Sequence, residues 1–357
     1  MVYLISMLLT VLFSYLYLKR KRSSAGGVYV DVFRKRIYLD RVLLFLLAVF
    51  PVWFITAFRY DVGTDYLYTY VKYFEHSSYG WRPYDEPLFQ LLNNFILTFS
   101  DNYVWLFVIT GAIINILFFY FIFKYSVTPI TSIVIYFVSS FFFNSLNNIR
   151  QYLAMSIAVF AFTNKNFIKS LIIILFASMF HFSALLYVPV LLASKLRFRR
   201  KDFMIFSAIA FISVPFICKL SIYLLQFTKY SYFLDSGSGF SLLIIIVNVL
   251  IFIACLFYYD ERDKEYQKYA ILQLITVCLC IFSIFFKNEE FTIRLIRLPM
   301  IFQLILVPKI ISKERNRACR ALVLCGIVLS YFVFTFYTVY LMGGLEVFPY
   351  QFIFGRM

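Results

Sequence analysis

The chain has 357 residues, of which 62% are hydrophobic and 15% charged, with a mean hydropathy of +0.82. A water-soluble chain carries about a quarter charged residues, so no aqueous shell covers this apolar excess and lipid is the expected solvent. The net charge of +16 is what Lys and Arg gathered in cytoplasmic loops produce, and it is not read as a nucleic-acid surface. The six cysteines stand in or beside apolar runs, with neither a disulfide framework nor metal-ligand spacing.

In chain order, apolar runs cover residues 2–18, 42–58, 103–123, 128–143, 150–163, 167–180, 182–194, 203–218, 240–259, 269–286, 295–311 and 321–342. A spanning helix takes about 20 residues, and shorter runs are accommodated by local thinning of the bilayer. The expected fold is therefore all-α: a polytopic integral membrane protein with about twelve transmembrane helices, some short or broken. All of 1–357 is expected to form a single transmembrane domain. Residues 2–18 lack a basic n-region and read as a retained helix, not a cleaved signal peptide.

Basic clusters at 19–22 with 34–36, 195–201, 262–268 and 313–320 belong in the cytoplasm. That requirement splits residues 167–193 into two short crossings that turn near His181, because Lys165 and Lys169 before them and Lys195 after them all belong inside. The remaining ionisable residues then fall on the opposite face. They lie in a large extracytoplasmic loop at 59–102, a turn at 143–150, His181, a loop at 219–239 and the stretch 287–297.

Arg59, Arg150, Arg294 and Arg297 lie on that outer face with no topological reason to be there. A guanidinium near the membrane usually has an anionic partner, and its planar fork suits phosphate oxygens. Arg294 and Arg297 are three apart and share one helical face; the bland alternative for each arginine is snorkelling to lipid headgroups. The long loop carries Asp61, Asp65 and Glu86 among Tyr60, Tyr66, Tyr70, Tyr84 and Trp81, a composition suited either to a sugar site or to an interfacial aromatic belt. Asp61 and Asp65 are spaced as one helical turn. Residues 88–99 are too short and polar to span and read as an interfacial helix. His181, between Phe180 and Phe182, has the residue type of a general base, or of a satisfied structural histidine. There is no Walker A motif, glycine-rich nucleotide fingerprint or zinc-protease motif.

Five ordered pieces carry a resemblance. They are 59–66 followed by Tyr70; Glu86-Pro87-Leu88-Phe89; 148–154, from Asn148 through Arg150 to Ala154; 177–184 around His181; and Arg294 with Arg297. Together they resemble the EpsG/Wzy-like family of polysaccharide repeat-unit polymerases of O-antigen and capsule synthesis. The resemblance implies a glycosyltransferase of the bacterial inner membrane, active on the periplasmic side and without a metal or other cofactor. Donor and acceptor would be undecaprenyl-diphosphate-linked oligosaccharides, with a chain-length regulator protein as a further partner. Arg59, Arg150, Arg294 and Arg297 would bind the diphosphate, with Asp61 and Tyr66 also contacting substrate. His181, Asp65 or Glu86 would take the acceptor proton. A glycan ligase using the same donor, or a flippase or exporter of lipid-linked glycan, are the alternatives.

Overall fold

The computed structural model describes residues 1–23, 29–32, 35–228, 231–235 and 241–355; Arg34 of the first basic cluster and Gly239 lie outside them. The chain is helical, and each of the twelve apolar runs lies largely in helix. Six helices are long and apolar enough to cross a membrane, or up to eight if two bent pairs each count as one span. The runs at 150–163, 167–180, 182–194 and 240–259 form helices shorter than that.

The helices gather into two compact units interleaved along the sequence. The first comprises Met1–Phe160, Leu175–Phe182 and the chain from Thr335 onward. In it α1 (Val2–Arg22) and α2 (Leu39–Ala57) lie side by side, joined through an antiparallel strand pair, Tyr29–Val32 with Lys35–Tyr38. An ion pair between Arg20 and Asp40 ties the end of one helix to the start of the next. Next come α3 (Lys72–Ser78), α4 (Pro87–Leu97) and α5 (Val104–Tyr125), the last packed on α2. Gly111 lets these two helices approach: a Cβ there would stand 2.8 Å from Thr56 Cγ2. Small residues are what permit such close contact between membrane helices.

The run at 128–143 is not one helix. It divides into α6 (Pro129–Val138) and α7 (Phe141–Asn147), bent by 54°. The break falls at Ser140, which adopts φ +65, and there the Ser139-Ser140 pair interrupts the apolar sequence. The expected aqueous turn at 143–150 is also different: Asn144, Ser145 and Asn147 are buried on α7, and α8 (Ile149–Ala158) follows after Asn148 alone. Asn144 donates back to the Ser140 carbonyl, Ser145 to Phe142 and Asn147 to Leu345, so these buried side chains bond the backbone inside the unit.

The second unit comprises Ala161–Ile174 and Ser183–Phe334. Its elements begin in α9 (Phe167–Ser178), whose last turn belongs to the first unit. They continue through α10 (Tyr187–Ala193), α11 (Arg200–Leu225), α12 (Tyr232–Asp235), α13 (Leu242–Phe257) and α14 (Lys264–Phe286) to α15 (Glu289–Met300), α16 (Gln303–Lys313) and α17 (Arg317–Thr335). Helix α11 runs past its apolar stretch, so Lys219 is helical and not the start of a loop. The run at 295–311 is the second broken one, α15 and α16 meeting at 53° just after Pro299. Inside this unit Gln303 donates to both Asn248 and Gln273 at 2.7 Å and accepts from Tyr331. Hydrogen bonds of this kind hold helices together where burial alone supplies little drive.

Candidate active site

The stretch expected as an extracytoplasmic loop, 59–102, is largely helical. A π-helical turn at Tyr66–Val71 leads into α3, and α4 follows after a connection at 79–86. The interfacial helix expected at 88–99 runs as Pro87–Leu97, with Leu91 and Phe95 on its exposed face. Pro87 starts that helix at a position where a missing N–H costs nothing. Glu86, the residue before it, is held extended at φ −80, ψ 115, as a residue before proline is, and its side chain makes no cap bond to the helix.

That side chain reaches two partners. Glu86 Oε2 accepts from Arg150 Nη1 at 2.8 Å, and Oε1 lies 2.8 Å from His181 Nδ1. Glu86 is buried, whereas the side chains of Arg150 and His181 keep about a quarter of their surface exposed. The Leu88 amide donates to the Met179 carbonyl at 3.0 Å, which fixes the start of α4 against the turn that carries His181. Burial pushes the Glu86 carboxyl upward, but the His181 hydrogen bond and the Arg150 charge outweigh it and hold it below the usual carboxylate range. An ionised carboxylate only accepts, so His181 Nδ1 is the donor, and in the neutral ring Nε2 keeps a lone pair. Arg150 stands in the first turn of α8, where the helix's positive end disfavours a cation, and Glu86 offsets that cost. The guanidinium also lies 5.2 Å over the ring of Tyr84. A buried carboxylate thus carries an orientated imidazole on one oxygen and an arginine on the other.

Arg59 and Tyr66 are placed differently. Both are completely buried. Arg59 donates to the Leu146 carbonyl at 2.7 Å, its guanidinium lies 4.8 Å over the Phe107 ring, and Nε and Nη1 have no hydrogen-bond partner. Burial works against its charged form and lowers its pKa from the usual arginine value. Tyr66 stacks on Phe107 at 4.6 Å and donates to the Arg59 carbonyl at 2.9 Å. With this packing neither side chain reaches solvent; Arg59 braces the last turn of α7, shortly before Arg150, and Tyr66 holds the Arg59 backbone.

Asp61 and Asp65 do not share a helical face. Asp61 is exposed at φ +49 and Gly63 follows at φ +110, so the backbone between them is a turn. Asp65 instead stands just before the π-helical turn, its amide 3.4 Å from Asn147 Oδ1. Arg294 and Arg297 do share a face of α15, in the second unit, where Arg294 pairs with Glu290 one turn earlier. Among the described residues no three His, Cys, Asp or Glu side chains gather as metal ligands.

Two supports of the site had no expectation attached to them. Asn147 accepts from Thr64 Oγ1 at 3.1 Å and donates to the Leu345 carbonyl at 3.1 Å, which pins the 59–66 segment to α7. The segment at 345–353 lies along that same stretch: Tyr60 donates to the Gln351 carbonyl, Ile353 to Phe58, and Gly63 to Glu346. Gly63 is the one trace of this in the sequence, since a Cβ there would stand 2.6 Å from Asn147 Oδ1.

The EpsG family model matches residues 42–352, a stretch that contains Glu86, Arg150, His181 and their supports. The chain belongs to the EpsG family. No curated protein and no solved structure matches it. EpsG membership, with its apolar helices, makes this an integral membrane protein of polysaccharide biosynthesis and points to a glycosyltransferase-like polymerase.

Proposed function

We propose that this EpsG-family chain joins lipid-diphosphate-linked oligosaccharide repeat units by glycosyl transfer, and that Glu86, Arg150 and His181 form its reacting centre. The observation that carries the reading is the single buried carboxylate bridging an imidazole and a guanidinium, each 2.8 Å away. His181 Nε2 takes the proton of the acceptor hydroxyl as its oxygen attacks the anomeric carbon. The anomeric C–O bond to the diphosphate breaks, and its electron pair leaves with the phosphate oxygen. Arg150 stabilises that growing charge, the role a metal ion plays in many other transferases. Glu86 fixes the imidazole tautomer and keeps Arg150 in place, as the third member of a nucleophile–base–orienter set does. Direct displacement predicts inversion at the anomeric carbon.

Undecaprenyl diphosphate is the proposed carrier, and the outer leaflet of the bacterial inner membrane the proposed location, with twelve crossings in which the short helices α9 and α10 flank the His181 turn. Asp61 and Asp65 are proposed sugar ligands. Arg294 and Arg297 are separate candidates for phosphate contact. Arg59 and Tyr66 are fully buried, and Arg59 braces the last turn of α7.

Arg150→Ala and His181→Ala are each expected to abolish long-chain glycan, since removal of one charge-stabilising donor costs about 2.7–4 kcal/mol of transition-state stabilisation and loss of a positioned base costs about 10²–10⁴-fold in rate. Arg199→Ala, in the basic cluster at 195–201 proposed to face the cytoplasm, is expected to leave it intact. Laddered gels of cell-surface glycan read the outcome. A normal ladder from His181→Ala would remove the proposed base; full-length polymer retained on carrier lipid in a deletion strain would indicate ligation instead, and units trapped on the inner leaflet, export.

A further inference from the structure

Beyond the trio, a row of aromatic rings leads outward through the first unit. Arg150 lies 5.2 Å over Tyr84; Tyr84 meets Tyr73 edge-on at 5.4 Å; Tyr73 stacks on His76 at 6.2 Å; and His76 meets Trp81 at 5.4 Å. The inner end is buried, with Tyr84 5% exposed, while the outer end is open, with Trp81 66% exposed.

The outer end is held in place by the backbone. Helix α3 stops with Gly80 at φ +82, the Gly80 amide donates to the Ser77 carbonyl at 3.1 Å and the Trp81 amide to the His76 carbonyl at 3.2 Å. This is the paired-bond helix stop in which the residue after the glycine packs back on the last turn, and here that contact is Trp81 against His76. The motif explains why the indole is fixed; it does not explain why most of it is left uncovered.

We infer that the Tyr73–His76–Trp81 platform is a saccharide subsite for the glycan chain that enters or leaves the reacting centre, an inference that rests on the polymerase reading above. A pyranose offers a flat C–H face to a ring and hydroxyls at its edge, so it needs aromatic area rimmed by charge. Charge is at hand in the same stretch of chain as Trp81, where Glu75, Arg82 and Asp85 are all exposed. The neighbouring α4 shows the contrasting composition, since its exposed Leu91 and Phe95, with Phe99 just beyond, carry no charge, as a face laid against lipid would. The row is also continuous with the trio through Tyr84, which a membrane anchor would not require.

The test uses the full chain in nanodiscs and, as probe, the oligosaccharide released by mild acid from the host's lipid-linked pool. Calorimetric titration is expected to show binding that Trp81→Ala weakens about fivefold and Trp81→Phe largely retains, because a flat ring supplies the stacking area. Equal affinity for wild type and Trp81→Ala, or no binding of the probe by wild type, would overturn the subsite. In a Trp53→Phe, Trp105→Phe background, quenching of Trp81 fluorescence by brominated lipid would show that it sits in the bilayer and would equally overturn it. His181→Ala is expected to keep saccharide binding while losing polymer. Polymer retained by that variant would sink the reaction mechanism and leave the binding measurement to judge the platform by itself.

Discussion

Glu86 decides what the site can do. Its carboxylate sits in a buried position that it would not occupy alone, and two partners hold it ionised there. Because its folded pKa lies below the unfolded value of about 4.3, the unfolded chain binds the extra proton in the window between them. The stabilisation is therefore complete above the usual carboxylate range and is lost as pH falls through the lowered value. Thermal melts of wild type and Glu86→Gln in detergent are expected to differ at neutral pH and to converge on acidification. A difference that stays constant down to pH 3 would mean that charge is not what Glu86 contributes. The residue types at this centre were legible in sequence, and so were their places in the ordered pieces. Their contacts were not: His181, with Asp65 or Glu86 behind it, is a candidate proton acceptor by residue type, and only geometry shows Glu86 bonded to both Arg150 and His181.

At the scale of elements, glycine and serine positions set the helix geometry that presents Arg150. Gly111→Leu is expected to force α2 and α5 apart and to cost about 1–3 kcal/mol, as overpacking does in a close-packed interior. Gly326→Ala, where nothing lies within 4 Å of the added carbon, is the matched control and is expected to be neutral or slightly stabilising. Comparison of the two melting temperatures checks this, and equal shifts would argue against close α2–α5 contact. Apolar length placed these helices correctly, because hydropathy reports how much of a segment avoids water. It did not place the 54° break at Ser140, since a serine pair inside an apolar run is compatible with both a straight and a broken helix. The turn expected at 143–150 fails for a related reason: asparagine suits a wet turn and a helix interior alike, and Asn144 and Asn147 are buried on α7.

At the scale of the whole molecule, the stretch at 345–353 is structural. It supplies carbonyl partners to Tyr60, Gly63 and Asn147 and to the hydroxyl of Tyr3, which bonds Val347 at 2.8 Å. Truncation before Leu345 is expected to leave those donors unpaired, at about 1–3 kcal/mol each where buried. The first unit would loosen, with lower melting temperature and faster proteolysis at 59–66. A truncated chain with wild-type melting and proteolysis would show that those bonds contribute nothing.

The sequence by itself determined the solvent, the helical class and the family, because these follow from sums and ordered patterns that survive any arrangement of the chain. Only the tertiary structure decided which side chains meet. Glu86, Arg150 and His181 are 64 and 95 residues apart along the chain from carboxylate to each partner, and Arg59 and Tyr66 are drawn inward by aromatic packing. Hydropathy measures a residue's transfer from water, whereas a site depends on which groups share a few ångströms, and no local pattern encodes that distance.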